Sequence, residues 1–348
     1  MNTMKALVYH GPRNVKLETR TIPIPKAGEV LIKTRAVSIC GSDLGAYRLH
    51  EVSDRWMPPI VLGHEFSGDI AALGEGVTGL KIGQRVAANP ILYCGECYYC
   101  KRGMINLCGN RHSLGTSIGG SATDGAMQEY FTIRQEAIIP LDERVTYEQG
   151  ALLEPLAVCL CAARNGSFGE GERVAVIGAG PIGLMIVKFL KALGAGMVIV
   201  SDILDERLKF ADKYGADATT NAKNESVLGK VLQLTDGVGV DRVIVAGGGS
   251  AVMDDSLKMV RNGGNIVLVA LIHKEFSIDP IKIVGRGISI IGSYMFTTEQ
   301  KDVMELIATK QVHVDDIITS KYSLEECEGL FDKLCSPDCK DVKVLVMP

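Results

Sequence analysis

The stretch from Arg173 to Asp202 constrains the fold more than any other part of the 348-residue chain. RVAVI, a short β-branched run, feeds directly into Gly178-Ala-Gly180-Pro181-Ile182-Gly183. A helical pattern, PIGLMIVKFLKALGA, follows, and a second apolar run, MVIVSD, ends on Asp202. Strand, glycine turn, helix and strand make a βαβ unit, which needs parallel neighbours in one sheet. G-x-G-x-x-G in isolation is weak evidence, because glycine turns are common. In this setting each glycine has a task. Gly178 permits the tight turn, Gly180 lets a pyrophosphate approach the backbone, and Gly183 lets the helix pack close against the strand. Pro181 and Ile182 lie where the helix amino terminus offers N–H groups to phosphates. Asp202, 19 positions after Gly183, stands where a carboxylate accepts hydrogen bonds from ribose hydroxyls and repels a 2′-phosphate. Arg207 lies a turn into the next helix. A bound dinucleotide is expected, NAD rather than NADP.

The alternation continues. DERLKFADKYGA reads as a helix, DRVIVAG as a strand, SAVMDDSLKMVRNGG as a helix and NIVLVAL as a strand. A doubly wound α/β domain beginning near residue 150 is therefore expected. Residues 1–150 read differently. KALVYH, EVLIKTRAVSI, EFSGDIAALG, RVAANPI and EYFTIRQ are short β patterns broken by Gly- and Pro-bearing stretches, the mark of a β-rich domain. ALLEPLAVCLCAARNG opens the change as a helix. The 37 basic and 41 acidic side chains leave a net charge of −4 with no block of one sign, against a nucleic-acid partner. The amino terminus has no signal pattern, and no window reaches the roughly 18 apolar residues of a membrane helix. A cytoplasmic enzyme with no membrane partner is expected, its cysteines acting as thiols or metal ligands.

Four of the 10 cysteines are clustered, Cys94, Cys97, Cys100 and Cys108 in C-x2-C-x2-C-x7-C spacing. Four thiolates close a tetrahedral zinc, leaving no vacancy for substrate. The bacterial ferredoxin run starts alike but continues x3-C-P, whereas here the last spacer is seven and Gly109 follows. Structural zinc is preferred over an iron–sulfur cluster or a nucleic-acid-binding ribbon. Cys159, Cys161, Cys327, Cys335 and Cys339 show no such spacing and read as free thiols.

A second set is dispersed: Cys40 in SICGSDL, His64 and Glu65 in LGHEFSG, and Glu154 in LLEPLAV. Each alone is ordinary. Together they supply the thiolate, imidazole and carboxylate of a catalytic zinc with an open position, and either glutamate could bind metal directly or through water. Such a Lewis acid beside a nicotinamide lowers the pKa of a secondary hydroxyl and so favours hydride departure. Ser42 could relay the proton toward solvent, and Asp43 could brace the loop or the histidine.

CGSD, GHEFSG, the four-cysteine lobe, LEPLAV and GAGPIG occur in an order that resembles the zinc-dependent medium-chain dehydrogenases along essentially the whole chain. Within them GHE and LEP resemble the polyol branch, sorbitol and galactitol-1-phosphate dehydrogenases and their bacterial relatives. Butanediol dehydrogenases are close rivals, and threonine dehydrogenases differ around LEPLAV. The resemblance implies a GroES-like catalytic domain of residues 1–150 completed by 291–348, a Rossmann coenzyme domain between them, two zincs per subunit, and a homodimer or homotetramer. It also implies a polyol or sugar-derived small-molecule substrate that is oxidised to a ketose. Cys161 stands where this branch often carries histidine, a variation near the cofactor. Arg48, Arg55, Arg111 and Lys274 are candidates to meet a substrate phosphate; Tyr47, Trp56 and Tyr294 are candidates to line the cleft. A non-catalytic NAD-binding regulator and an iron–sulfur electron carrier share parts of the pattern.

Overall fold

The computed structural model describes residues 2–120, 122–272, 275–327, 329–336 and 338–348. The chain divides into two compact units, Met1–Pro155 with Gln300–Pro348, and Leu156–Glu299. The residue pattern placed a change near 150, and the family resemblance implied a coenzyme domain over 151–290; the second unit runs instead from Leu156 to Glu299.

In the first unit, strands Thr3–Gly11 and Asn14–Thr21 form a hairpin that Ile60–Val61 extends. Beside it lies a seven-stranded sheet whose centre is Glu29–Ser38. That strand pairs antiparallel with Glu65–Leu73, Tyr130–Arg134 and Lys343–Met347. Central pairing explains its near-continuous burial, iBBBiBeBBB along EVLIKTRAVS, since a strand covered on both faces keeps little polar surface. Phe66 and Phe131, on two of its neighbours, meet edge to face at 4.8 Å in the unit's core. RVAANPI is interrupted as a strand: Arg85–Ala88 stops before Asn89-Pro90, where proline has no N–H for the ladder, and Ile91–Leu92 pairs elsewhere.

The second unit carries a parallel sheet of six strands, here β1 (Arg173–Ile177), β2 (Met197–Asp202), β3 (Ala218–Asn221), β4 (Val240–Val245), β5 (Val260–Leu268) and β6 (Ser289–Gly292). Their order is β3-β2-β1-β4-β5-β6, the doubly wound arrangement whose switch point lies between β1 and β4. Helix Pro181–Ala192 joins β1 to β2 and buries Leu184, Met185, Ile186, Val187, Phe189 and Leu190. One expected helix is shorter than its pattern suggested. SAVMDDSLKM ends at Met259, and VRNGG opens β5, because Val260 already pairs with Val240 across an irregular register. No helix among the described residues is long and apolar enough to cross a membrane.

Candidate functional site

Three strand ends of the first unit's large sheet converge. Glu29–Ser38 runs out into Ile39 and Cys40, Glu65 opens its strand opposite Ser38, and Leu345 of Lys343–Met347 faces Ser38 from the other side. Cys40 caps helix Gly41–Arg48. The Ser42 N–H donates to its Sγ at 3.5 Å, and the Cys40 N–H donates to Asp43 Oδ2 at 2.9 Å. The thiol is thereby oriented before any ligand arrives. Asp43 therefore braces the loop; its other oxygen lies 3.9 Å from His64 Nδ1, too far for a hydrogen bond.

One donor atom each from Cys40, His64 and Glu65 lies within 4.8 Å of the others. Glu154 falls outside that tight triad but remains in its field. It sits in the first turn of helix Leu153–Arg164, where a carboxylate suits the helix dipole and Pro155 costs no internal hydrogen bond. Burial pushes its carboxyl up to about 7; the Glu65 and Asp43 charges add to this, and His64 and Lys343 oppose it. Burial resists protonation of His64, but the thiolate of Cys40 and the carboxylates of Asp43 and Glu154 outweigh it and hold the imidazole well above its usual pKa. Thiolate, imidazole and crowded carboxylates fit a divalent cation.

In metal-free protein the stability carried by the acid form of Glu154 is full below the ordinary carboxylate pKa and is lost as pH rises through about 7. Glu154→Gln should abolish that part of the decline, read from thermal melts of chelator-treated wild type and variant across the same pH range.

The residue that sequence reading passed over is Lys343. Its ammonium meets Glu65 Oε2 at 2.6 Å and donates to the Ile39 carbonyl at 3.2 Å, with both side chains of the ion pair buried. Burial opposes its charge, but Glu65 and Cys40 more than restore it. Removing one member of such a pair leaves an uncompensated buried charge, at a cost of about 3–5 kcal/mol. VKVLVMP gave only a strand pattern, and the partner lies 278 residues away in sequence.

The clustered cysteines also converge. Sγ–Sγ separations are 3.5 Å for Cys97–Cys100, 3.6 Å for Cys94–Cys108, and 3.9 Å for both Cys94–Cys100 and Cys97–Cys108. A tetrahedron of sulfurs at the Zn–S distance has edges of about 3.8 Å. That is the span of one ion; a multi-iron cluster spreads its thiolates wider. Backbone N–H groups, that of Cys100 foremost, draw the Cys97 thiol down to about 6.

In the second unit Gly178 has φ +96°. A Cβ on Gly183 would sit 1.9 Å from the Gly178 carbonyl oxygen, whereas one on Gly180 would meet open space. The turn is thus closed at its packing glycine and open at Gly180, as a cradle for phosphate requires. Pro181 and Ile182 begin the helix. Asp202 does more than the fingerprint suggests. Oδ2 accepts from Ala179 N–H at 2.7 Å, and Oδ1 accepts from Ile203 and Leu204 N–H at 2.7 and 3.0 Å, so it also ties down the glycine turn. Arg207 stands 3.8 Å from it.

Other expected residues are less concentrated. Tyr47 packs on Phe331, Trp56 belongs to the first unit's core with Arg55 over its ring, and Arg111 donates to the Cys108 carbonyl. Arg48 is exposed and bonded to the Leu44 carbonyl; Tyr294 is in the second unit. Lys274 lies outside the described residues. Cys159, Cys161, Cys327, Cys335 and Cys339 form no disulfide, and burial pushes Cys161 up to about 11.

Residues 26–143 match the alcohol dehydrogenase GroES-like domain, and residues 181–309 match the zinc-binding dehydrogenase domain. The chain belongs to the zinc-dependent medium-chain dehydrogenases. It is 35% identical to sorbitol dehydrogenase of Bacillus subtilis (strain 168), covering 99% of this chain and 97% of that one. It is 34% identical to D-arabitol-phosphate dehydrogenase of Enterococcus avium over the same shares. A zinc-binding dehydrogenase of Sinorhizobium meliloti 1021, solved bound to NADP, superposes with a TM-score of 0.92 at 28% identity, covering 100% of both chains. A dehydrogenase of this family uses zinc and NAD(P), and the donor sets and glycine cradle described above fit both.

Proposed function

We propose that this dehydrogenase oxidises a secondary hydroxyl of a polyol, sugar alcohol or sugar alcohol phosphate to a ketose, with NAD as acceptor. The observation that carries this is the convergence of Cys40, His64 and Glu65, with the buried carboxyl of Glu154 in their field where a second thiolate would otherwise complete the set. The likeness to sorbitol and arabitol-phosphate dehydrogenases supports the substrate class.

When bound, the two cofactors supply Lewis acidity at the hydroxyl and a hydride acceptor. Cys40, His64 and Glu65 hold the metal, the first of them pre-oriented by its helix cap. Glu154 accepts a hydrogen bond from a ligand or water there. The half-buried Ser42, adjoining the cap, starts the proton's path to solvent. Gly178, Gly180, Pro181, Ile182 and Gly183 receive the pyrophosphate. Asp202, already accepting three backbone N–H groups, keeps lone-pair capacity for a ribose hydroxyl and repels a 2′-phosphate, with Arg207 bordering it. Four thiolates hold the second zinc.

The enzyme is proposed to work in the cytoplasm on small molecules, as a homodimer or homotetramer, which light scattering distinguishes. The deciding experiment follows NADH formation with zinc-replete protein over free polyols, polyol phosphates, 2,3-butanediol and L-threonine. A polyol or its phosphate should give the highest kcat/KM, and NAD should outperform NADP. Turnover confined to butanediol or threonine would move the chain to another branch; none at all would end the reading.

A further inference from the structure

Among the described residues, five other than glycine have a positive φ: Arg13, Ser167, Asp236, Met295 and Lys310. Four have an ordinary reason. Arg13 turns the hairpin between Thr3–Gly11 and Asn14–Thr21, and Ser167, Asp236 and Lys310 follow helix ends, where left-handed residues are usual. Met295, at φ +55°, neither turns a hairpin nor ends a helix. A long side chain is disfavoured in that conformation, and such strain persists only where the surroundings impose it.

Here they impose it from both sides. β6 ends at Gly292, and the next residue, Ser293, is held twice. Its N–H donates to the Leu268 carbonyl at 2.8 Å, and its Oγ accepts from Asn165 Nδ2, also at 2.8 Å. Beyond Met295, Phe296 is fully buried, and the N–H groups of Thr297 and Thr298 donate to Glu299 Oε2 at 2.7 and 3.0 Å. Asn165 lies 128 residues from Ser293 in sequence. Its bond joins two side chains, so removing it leaves the backbone pairing of β6 in place. The strained turn also stands at the carboxyl end of its strand. A doubly wound sheet binds a dinucleotide across those ends, one mononucleotide on each side of the switch point. The glycine cradle after β1 puts the adenosine half over β1–β3, so β4, β5 and β6 face the nicotinamide half.

We propose that Asn165 is a positioning residue: through Ser293 it holds the turn Ser293–Phe296 in the strained form that receives the nicotinamide half of the coenzyme. The proposal rests on the dinucleotide reading given above. Without the tether the turn relaxes, and affinity falls with the fraction of molecules still in the receiving form. A rescue follows that loss of packing alone would not give. Glycine at position 295 adopts the left-handed form without a side-chain clash, so it should matter most where the tether is missing.

The test measures binding of NADH and of ADP-ribose, which lacks the nicotinamide, by calorimetry on zinc-replete protein. N165A should bind NADH about fivefold more weakly than wild type, with ADP-ribose affinity retained. M295G should strengthen NADH binding several-fold more in the N165A background than in the wild type. S293A removes the same bond from its other end and carries the same expectation if N165A does not fold. Unchanged NADH binding in the folded variant overturns the proposal. An equal loss of ADP-ribose also overturns it, since that would mark a general loosening of the unit. So does a glycine gain of the same size in both backgrounds. If the wild type favours NADPH, then NADPH and 2′-phospho-ADP-ribose replace the pair, and the choice of coenzyme fails separately from the tether. A wild type that binds neither coenzyme would sink the dinucleotide reading and the proposal with it.

Discussion

Cys40→Ser protein should fold, retain the zinc of the four-cysteine lobe, and lose about a thousandfold in kcat/KM. A serine oxygen can still accept the Ser42 N–H at the start of helix Gly41–Arg48, and hydroxyls are good helix caps, so the local structure has no reason to fail. What changes is the donor. A neutral hydroxyl replaces the thiolate, and the Lewis acid it held is worth several kcal/mol at the transition state, or about three powers of ten. Metal analysis should fall from about two zincs per chain to about one, with the thermal midpoint nearly unmoved. Near-wild-type turnover would remove Cys40 from the metal. A regulator that only bound NAD would keep its biological activity under this substitution, which separates that class from an enzyme.

Cys97→Ser should do the reverse. The lobe from Cys94 to Cys108 has little apolar interior. Tyr98 is 62% exposed, Tyr93, Tyr99 and Leu107 are also exposed, and two of its elements are single turns of tight helix. Its order must come from the metal, because binding free energy at such a site is folding free energy. Loss of several kcal/mol in a domain of this size lowers the melting temperature by about 10 °C. Zinc should again fall to about one per chain, but chelator competition at the Cys40 site should be unchanged. The two variants thus lose the same quantity of metal with opposite consequences. A C97S protein that melts like wild type while lacking that zinc would show the lobe to be held by its chain alone.

Features were legible in the sequence where they are local. The glycine turn, its strand and its helix lie within thirty residues, so propensity and spacing reach Gly178, Gly180, Gly183 and Asp202 directly. The four-cysteine lobe is local in the same sense. The dispersed set, Cys40, His64, Glu65 and Glu154, depends on sheet register, which spacing does not encode. Donor chemistry suggested it and the family pattern supported it, and the structure adds that Glu154 stands outside the tight triad. Lys343 was invisible because a lysine at the start of a terminal strand ordinarily faces water. Only pairing of that strand with Glu29–Ser38 carries it inward. Asp202's bonds to Ala179, Ile203 and Leu204 were hidden for a related reason, since sequence names the acceptor but not the competing donors.

The placement of strand Lys343–Met347 also bears on the order in which a ribosome can complete the protein. The four cysteines emerge within one short segment, so zinc can close that loop while the rest is still being made. Cys40, His64 and Glu65 emerge even earlier, yet the strand that neutralises Glu65 follows the whole of Leu156–Glu299. Until then the central strand Glu29–Ser38 lacks one of its neighbours, and a carboxylate destined for burial must stay hydrated. Contacts so distant in sequence form late. The proposed catalytic site is therefore among the last parts of its own domain to become whole.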